Sequence, residues 1–154
     1  MSSLIWNVRG LNDPIKQINV LKVARRYDVE ILCLLETRVW EHNASGIWSG
    51  KFRDWTVLHN YSHASNGMIW IFSRGCWKVV LIYKSAQVMH CRVVGGDTMF
   101  FLSIVYASNS REDRNALWSD LVEFQDEVGG HPWVIAGDFN VTFHPKESSD
   151  YTGG

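Results

Sequence analysis

Five polar residues sit where short apolar runs of this chain stop. Asn7 closes the run around Leu4 to Val8, Glu36 follows Ile31-Leu-Cys-Leu-Leu35, Tyr106 closes Met99 to Tyr106, and Asp138 and Asn140 follow Trp133 to Ala136. If those runs are strands of an α/β sheet, the five residues stand at strand carboxyl ends. Loops there aim side chains into a shared crevice, which is where ligand groups gather. Two carboxylates, two carboxamides and a phenol in five such places form a candidate site for a polar ligand. Each also has a plainer reading on its own. Asn7 could satisfy a turn before Gly10, and Glu36 could be a loop carboxylate paired with Arg38, a pairing of small value when exposed. Tyr106 could be a half-buried phenol at a strand end, and Asp138 and Asn140 could be turn formers.

The elements that must position these residues alternate between strand and helix. After the first strand, Asp13-Pro14 reads as an N-cap with proline at the first helical position, and a helix runs to about Tyr27. Ile15, Ile18, Leu21 and Ala24 recur along it and predict its buried stripe, with Lys16, Lys22, Arg25 and Arg26 off that stripe. Ile31 to Leu35 reads as a buried strand. From Trp55 to Tyr106 the sequence breaks into short β-rich pieces separated by Ser65-Asn-Gly67, Ser73-Arg-Gly75, Lys84-Ser-Ala86 and Gly95-Gly-Asp97, which predicts an antiparallel meander. Ser110 and Asp113 propose a capping box for a helix that buries Leu117, Leu121, Phe124 and Val128 and stops at Gly129-Gly130. A last strand then delivers Gly137-Asp-Phe-Asn140. Trp40 and Trp48, in the Gly46- and Gly50-containing stretch after Glu36, read as a substrate-facing loop. Trp6, Trp70, Trp77 and Trp133 read as core.

Composition bounds the function. With 154 residues, 46% hydrophobic and 20% charged, the chain has the make-up of one globular domain over 1–154, with a polar tail from about 141 to 154. The net charge of −1 excludes a polycation that holds nucleic acid or an acidic membrane non-specifically, so any such binding must be local. Arg9, Lys16 and Arg25-Arg26 could touch a nucleic-acid backbone, but a solvated helix face explains them equally well. Cys33, Cys76 and Cys91 are odd in number, lack zinc spacing and read as buried, reduced thiols, which fits a nuclear or cytoplasmic setting. No secretory or membrane-spanning segment is expected.

Taken together, Ile5-Trp-Asn-Val-Arg-Gly10, Leu34-Leu-Glu-Thr37, Gly67-Met-Ile-Trp70, Val105-Tyr106 and Gly137-Asp-Phe-Asn140 resemble the endonuclease/exonuclease/phosphatase superfamily of DNase I and apurinic/apyrimidinic endonucleases. Within it the likeness is to the endonuclease domains of plant LINE-type non-LTR retrotransposons, and it runs from Leu4 to about Asn140. The resemblance implies an α/β, DNase I-like four-layer sandwich and divalent-metal-dependent hydrolysis of a phosphoester, with DNA as partner. It casts Glu36 as the carboxylate that holds Mg²⁺ or Mn²⁺, with Asn7 helping to position metal and phosphate. Asp138 would orient and deprotonate the attacking water. Asn140 would hold the phosphate or that aspartate, and Tyr106 would donate to a phosphate oxygen.

The departure from the family pattern is also informative. The family continues to a terminal Ser-Asp-His, yet none of His42, His59, His63, His90, His131 and His144 follows Ser-Asp, and Ser149-Asp150 is followed by Tyr151. The expectation is therefore an incomplete sandwich, the first half of the domain. Its first sheet would lack much of its covering second sheet, it would self-associate through that uncovered face, and its catalysis would be impaired. The alternatives are a non-catalytic degenerate fragment, and a phosphoinositide or sphingomyelin phosphodiesterase of the same superfamily.

Overall fold

A computed structural model describes residues 1–141, so the expected tail beyond Val141, with His144 and Ser149-Asp150-Tyr151, lies outside the described residues. The elements are β1 (Ser3–Asn7), α1 (Pro14–Arg26), β2 (Ile31–Leu35), α2 (Glu41–Ser49), β3 (Thr56–His59) and β4 (Ile69–Ser73). They are followed by β5 (Lys78–Lys84), β6 (Val88–Gly95), β7 (Thr98–Tyr106), α3 (Arg111–Val128) and β8 (Trp133–Asp138). Two four-stranded mixed sheets result, in the orders β1-β2-β4-β3 and β5-β6-β7-β8. Strands β1 and β2 are parallel, as are β7 and β8, and the remaining neighbours are antiparallel.

The sheets stack face to face. Ile31, Cys33 and Leu35 of β2 and Ile69 and Ile71 of β4 pack on Met89, Cys91 and Val93 of β6 and Leu102 and Ile104 of β7. The alternate residues of β2 and β4, Leu32, Leu34, Trp70 and Phe72, face outward onto Val20, Leu21 and Ala24 of α1 and Ala44 of α2. On the far side Val88, Val105 and Ala107 meet Leu117 and Phe124 of α3. The period-2 alternation of strands covered on both faces thus yields four layers, as expected of the sandwich. Each fully buried Leu or Ile side chain in them contributes roughly 1.5–3 kcal/mol of transfer free energy.

Several expectations are corrected here. The meander is split: β3 and β4 belong to the first sheet, and only from Lys78 onward does the chain build the second. Among the described residues that second sheet packs on the inner face of the first, which the sequence reading expects to be largely uncovered. Among the described residues the exposed large apolar side chains of the sheets are Val80 and Tyr83 of β5 and Val134 and Ile135 of β8. In α1 the buried face is Gln17, Val20, Leu21 and Ala24. Ile15 and Ile18 point to solvent, because three-residue steps fall short of the 3.6-residue turn and drift around the helix. The stretch holding Trp40 and Trp48 is largely helix α2, with Trp48 stacked on His59 at 5.0 Å and set edge-on to Trp70 at 5.4 Å. Cys33 and Cys91 are buried, as expected, but Cys76 is exposed. Ser110 caps α3 through the Asp113 N–H (3.3 Å), while the Asp113 carboxylate accepts from Ser108 instead of closing the box. Among the described residues no helix is long and apolar enough to cross a membrane.

The buried His90 gives the fold a pH dependence. It stacks on Phe124 at 4.1 Å, its Nδ1 shares a 2.7 Å hydrogen bond with Ser103, and its Nε2 has no partner. Burial lowers its pKa, only partly offset by Glu127, and burial lowers that of His59 as well. The unfolded chain therefore binds more protons than the folded one once the pH drops below the ordinary imidazole value of about 6.5, so stability falls with pH from there. Denaturant midpoints measured between pH 7.5 and 5.5 should fall, with a shallower slope in His90→Asn.

Candidate functional site

Parallel pairing places the strand ends together. Asn7 ends β1 opposite Leu35, one residue before Glu36, and Tyr106 ends β7 opposite Asp138 at the end of β8. The two sheets meet with β1 beside β8. Asn7 Nδ2 donates to Asp138 Oδ2 at 3.0 Å across this junction, so one side chain from each sheet closes the crevice floor. The turn readings of these residues hold at the same time: Asn7 Oδ1 accepts from the Arg9 N–H (3.1 Å) and Asp138 Oδ1 from the Asn140 N–H (3.0 Å). Asn7 and Asp138 thus each use one end on their own loop and the other on the bond across the junction, and the second lone pair of each oxygen is not used by these bonds. Asn140 differs, because its Nδ2 is taken by the Ala107 carbonyl at 2.6 Å. It thereby ties the loop after β8 to the loop after β7.

Glu36 is held by a strained loop with a buried anchor. Arg9, Glu36, Arg38 and Asn140, all beside the crevice, have φ between +48° and +56°, a region that non-glycine residues seldom occupy. Such strain persists where surrounding structure over-determines it, and it concentrates at functional sites. Here the over-determination is visible. The Glu36 N–H donates to Met68 O (2.7 Å) and its carbonyl accepts from Gly10 (2.7 Å). The fully buried Thr37 hydroxyl donates to the Gly67 carbonyl, and Tyr61 OH donates to Val39 O at 2.5 Å. Gly67 has φ +53°, and a Cβ there would collide with Tyr61 and Thr37. Gly137 of the Gly-Asp-Phe-Asn stretch, at φ +141°, lets β8 approach the Val105 carbonyl, which a Cβ would strike.

The expected pairing of Glu36 with Arg38 is also present, with Arg38 half exposed and Glu36 mostly covered. Tyr106 faces both carboxylates. Burial first, then Glu36 and Asp138, push its pKa above that of an ordinary phenol, with Arg38 acting in the opposite sense. It therefore stays a hydrogen-bond donor at neutral pH. A cleft of about 370 Å³ opens beside it, lined by His63, Asn66, Met68, Gln87 and Ser108 among others. Sequence reasoning missed Asn60 and Gln87, whose polar side chains hold the loops on this side. Asn60 stands at the end of the Trp55 to His59 run and Gln87 before Val88, but the partners that give them their roles lie 9 to 26 residues away in the chain.

Thus Asn7, Glu36, Tyr106 and Asp138 converge, and Asn140 stands behind Asp138. The donors are all oxygens, from two carboxylates, a carboxamide and a phenol. Among the described residues no group of three or more His, Cys, Asp or Glu gathers around one point. One or two carboxylates with neutral oxygens are the donor set a hard divalent cation accepts when it keeps several of its waters.

Comparison with known proteins places this geometry. The model of the Endonuclease/Exonuclease/phosphatase family matches residues 4–152. Among solved structures, the endonuclease domain of TRAS1, a telomere-specific non-LTR retrotransposon, superposes with a TM-score of 0.71 at 12% identity, over 91% of this chain and 59% of that one. TDP2 of D. rerio, complexed with a single-strand DNA product, gives 0.68 at 12% identity over 92% and 61%. The human Nocturnin catalytic domain with bound sulfate gives 0.63 at 17% over 91% and 64%. At these identities the likeness is one of fold, and the chain spans about three-fifths of the length of these solved chains. No curated protein matches. The family match over nearly the whole chain, together with the shared sandwich, shows that the chain belongs to the endonuclease/exonuclease/phosphatase family.

Proposed function

We propose that residues 1–154 form one domain carrying the metal-binding and water-orienting part of a phosphodiesterase that acts on DNA, as the endonuclease of a retroelement. The observation that carries this is the convergence of Asn7 and Glu36 from one sheet with Tyr106 and Asp138 from the other, joined by the Asn7–Asp138 bond. The TRAS1 and TDP2 likenesses favour DNA over other phosphoesters.

In this reading Glu36 and the Asn7 side-chain oxygen hold Mg²⁺ or Mn²⁺, which supplies charge stabilisation at the phosphoryl group when bound. Asp138 accepts the proton of the attacking water. Its Oδ2 is fixed by Asn7 and its Oδ1 by the Asn140 backbone, so its orientation is set before substrate arrives. Tyr106, kept protonated by its surroundings, donates to a non-bridging phosphate oxygen. Asn140 serves the aspartate rather than the phosphate, because its amide is committed to Ala107.

The test compares substrates under Mg²⁺. Nicking of supercoiled plasmid, lost in Asp138→Ala and in chelator, is the expected outcome. Release of phosphate from soluble inositol phosphates without nicking would assign the fold to the phosphoinositide alternative. Neither activity above that of Asp138→Ala would leave a non-catalytic fragment.

A further inference from the structure

We propose that Asn60 is a positioning residue that sets the separation between Glu36 on one sheet and Tyr106 on the other, an inference that rests on the reading of those two as site residues. Asn60 follows β3 and is fully buried, yet its polar groups find partners in both sheets. Its Oδ1 accepts from the Ile69 N–H at 3.1 Å, and its carbonyl accepts from His63 (2.9 Å) and Ala64 (3.0 Å), which closes the segment between β3 and β4 on itself. Its Nδ2 crosses to the second sheet and donates to the carbonyls of Ser85 (3.1 Å) and Ala86 (3.4 Å) in the turn between β5 and β6.

Both ends of this strap lie one peptide from the site. Met68, next to Ile69, accepts the Glu36 N–H at 2.7 Å, and Gln87, next to Ala86, accepts the Tyr106 N–H at 2.9 Å. The path from Glu36 through Met68, Ile69, Asn60, Ala86 and Gln87 to Tyr106 is therefore continuous in bonds and hydrogen bonds. Gln87 locks its far end, with Oε1 accepting from the Ser108 N–H (2.8 Å) and Nε2 donating to the Asp113 carbonyl (3.0 Å).

Only a short carboxamide suits the position. It presents an acceptor to one sheet and donors to the other from one rigid plane, whereas aspartate accepts but cannot donate and leucine would strand the backbone groups on both sides. Lys84 Nζ also reaches across to the His59 carbonyl at 3.3 Å, but an ammonium on a flexible four-carbon stem fixes distance poorly. Two carboxamides therefore span the two sheets, Asn7 to Asp138 and Asn60 to the turn between β5 and β6.

The test is Asn60→Asp, which keeps the bond to Ile69 and removes both donors to the second sheet. Amide hydrogen exchange at Glu36 and Tyr106 is expected to accelerate at least about tenfold while Leu34 and Leu102, inside the sheets, keep their wild-type rates. Plasmid-nicking kcat should fall about 10²-fold at unchanged KM, the effect of a site misplaced by about 1 Å. Asn60→Ser, whose short side chain cannot reach Ser85, is read the same way should the aspartate variant not fold. Acceleration spread evenly over both sheets, or unchanged exchange at Glu36 and Tyr106, overturns the proposal. Absence of nicking by the wild-type chain counts against the proposed function alone, since the exchange result still decides the role of Asn60.

Discussion

Supercoiled plasmid incubated with the 154-residue chain and Mg²⁺ is expected to be nicked at least about 10²–10³-fold more slowly than by a nuclease of the family that carries the Ser-Asp-His. The groups that bind metal and orient water converge in the crevice, but the family resemblance also calls for an imidazole, paired with an aspartate, at the transition state. Among the described residues none hydrogen-bonds to Asn7, Glu36, Tyr106 or Asp138. His59 and His90 are packed among aromatic rings, and His131, three residues beyond α3, bonds to the carbonyl of Val128 at that helix's end. His42 lies exposed on α2, and His63 lines the cleft beside Tyr106 without bonding to these four. Losing one preorganised stabiliser costs about 10²–10³ in rate, and a pair acting as a unit costs more. Single-turnover rates on plasmid measure the deficit. A rate equal to that of such a nuclease would contradict the expected deficit.

Replacing Glu36 with Gln should abolish divalent-metal binding altogether. The substitution preserves shape but removes the one carboxylate assigned to the ion. An amide offers neither the charge nor the second acceptor oxygen on which a weakly bound, largely hydrated Mg²⁺ depends. The same change releases Arg38, the carboxylate's present partner, and so leaves a cation facing the crevice that further repels a metal. Calorimetric titration with Mg²⁺ should show weak binding to the wild-type chain and none to the variant. Equal heats for both would remove Glu36 from the site.

How much of this was legible in the sequence follows from how local each signal is. The Asp13-Pro14 start of α1 is confirmed by the Asp13 side chain accepting from Ile15 at 2.9 Å, because a cap is a property of adjacent residues. The stretches that end in Glu36 and Asp138 could be read because apolar runs and the polar residues that stop them are contiguous. The face of α1 was misread because Ile15 and Ile18 lie on solvent-facing positions that only the helical angle reveals. Helix α2 was missed because Asn43, Ser45 and Gly46 carry little helix propensity, and Ala44 packing into the core decides the matter. The split of the β-rich stretch between two sheets was invisible, since turn residues announce where a strand ends but not which sheet the next one joins. Asn60 likewise earns its position from partners 9 and 25 residues away, and no spacing rule reaches that far.

The central claim is that strand ends from two sheets make one metal-binding crevice, and titration of isotope-labelled chain with sub-stoichiometric Mn²⁺ tests it most directly. Paramagnetic broadening should erase the resonances of Asn7, Glu36, Tyr106 and Asp138 first and together, while those of the Gly95-Gly-Asp97 turn and the acidic first turn of α3 survive. Broadening that begins at Glu112 and Asp113, or that reaches Glu36 without Asp138, would contradict a shared site.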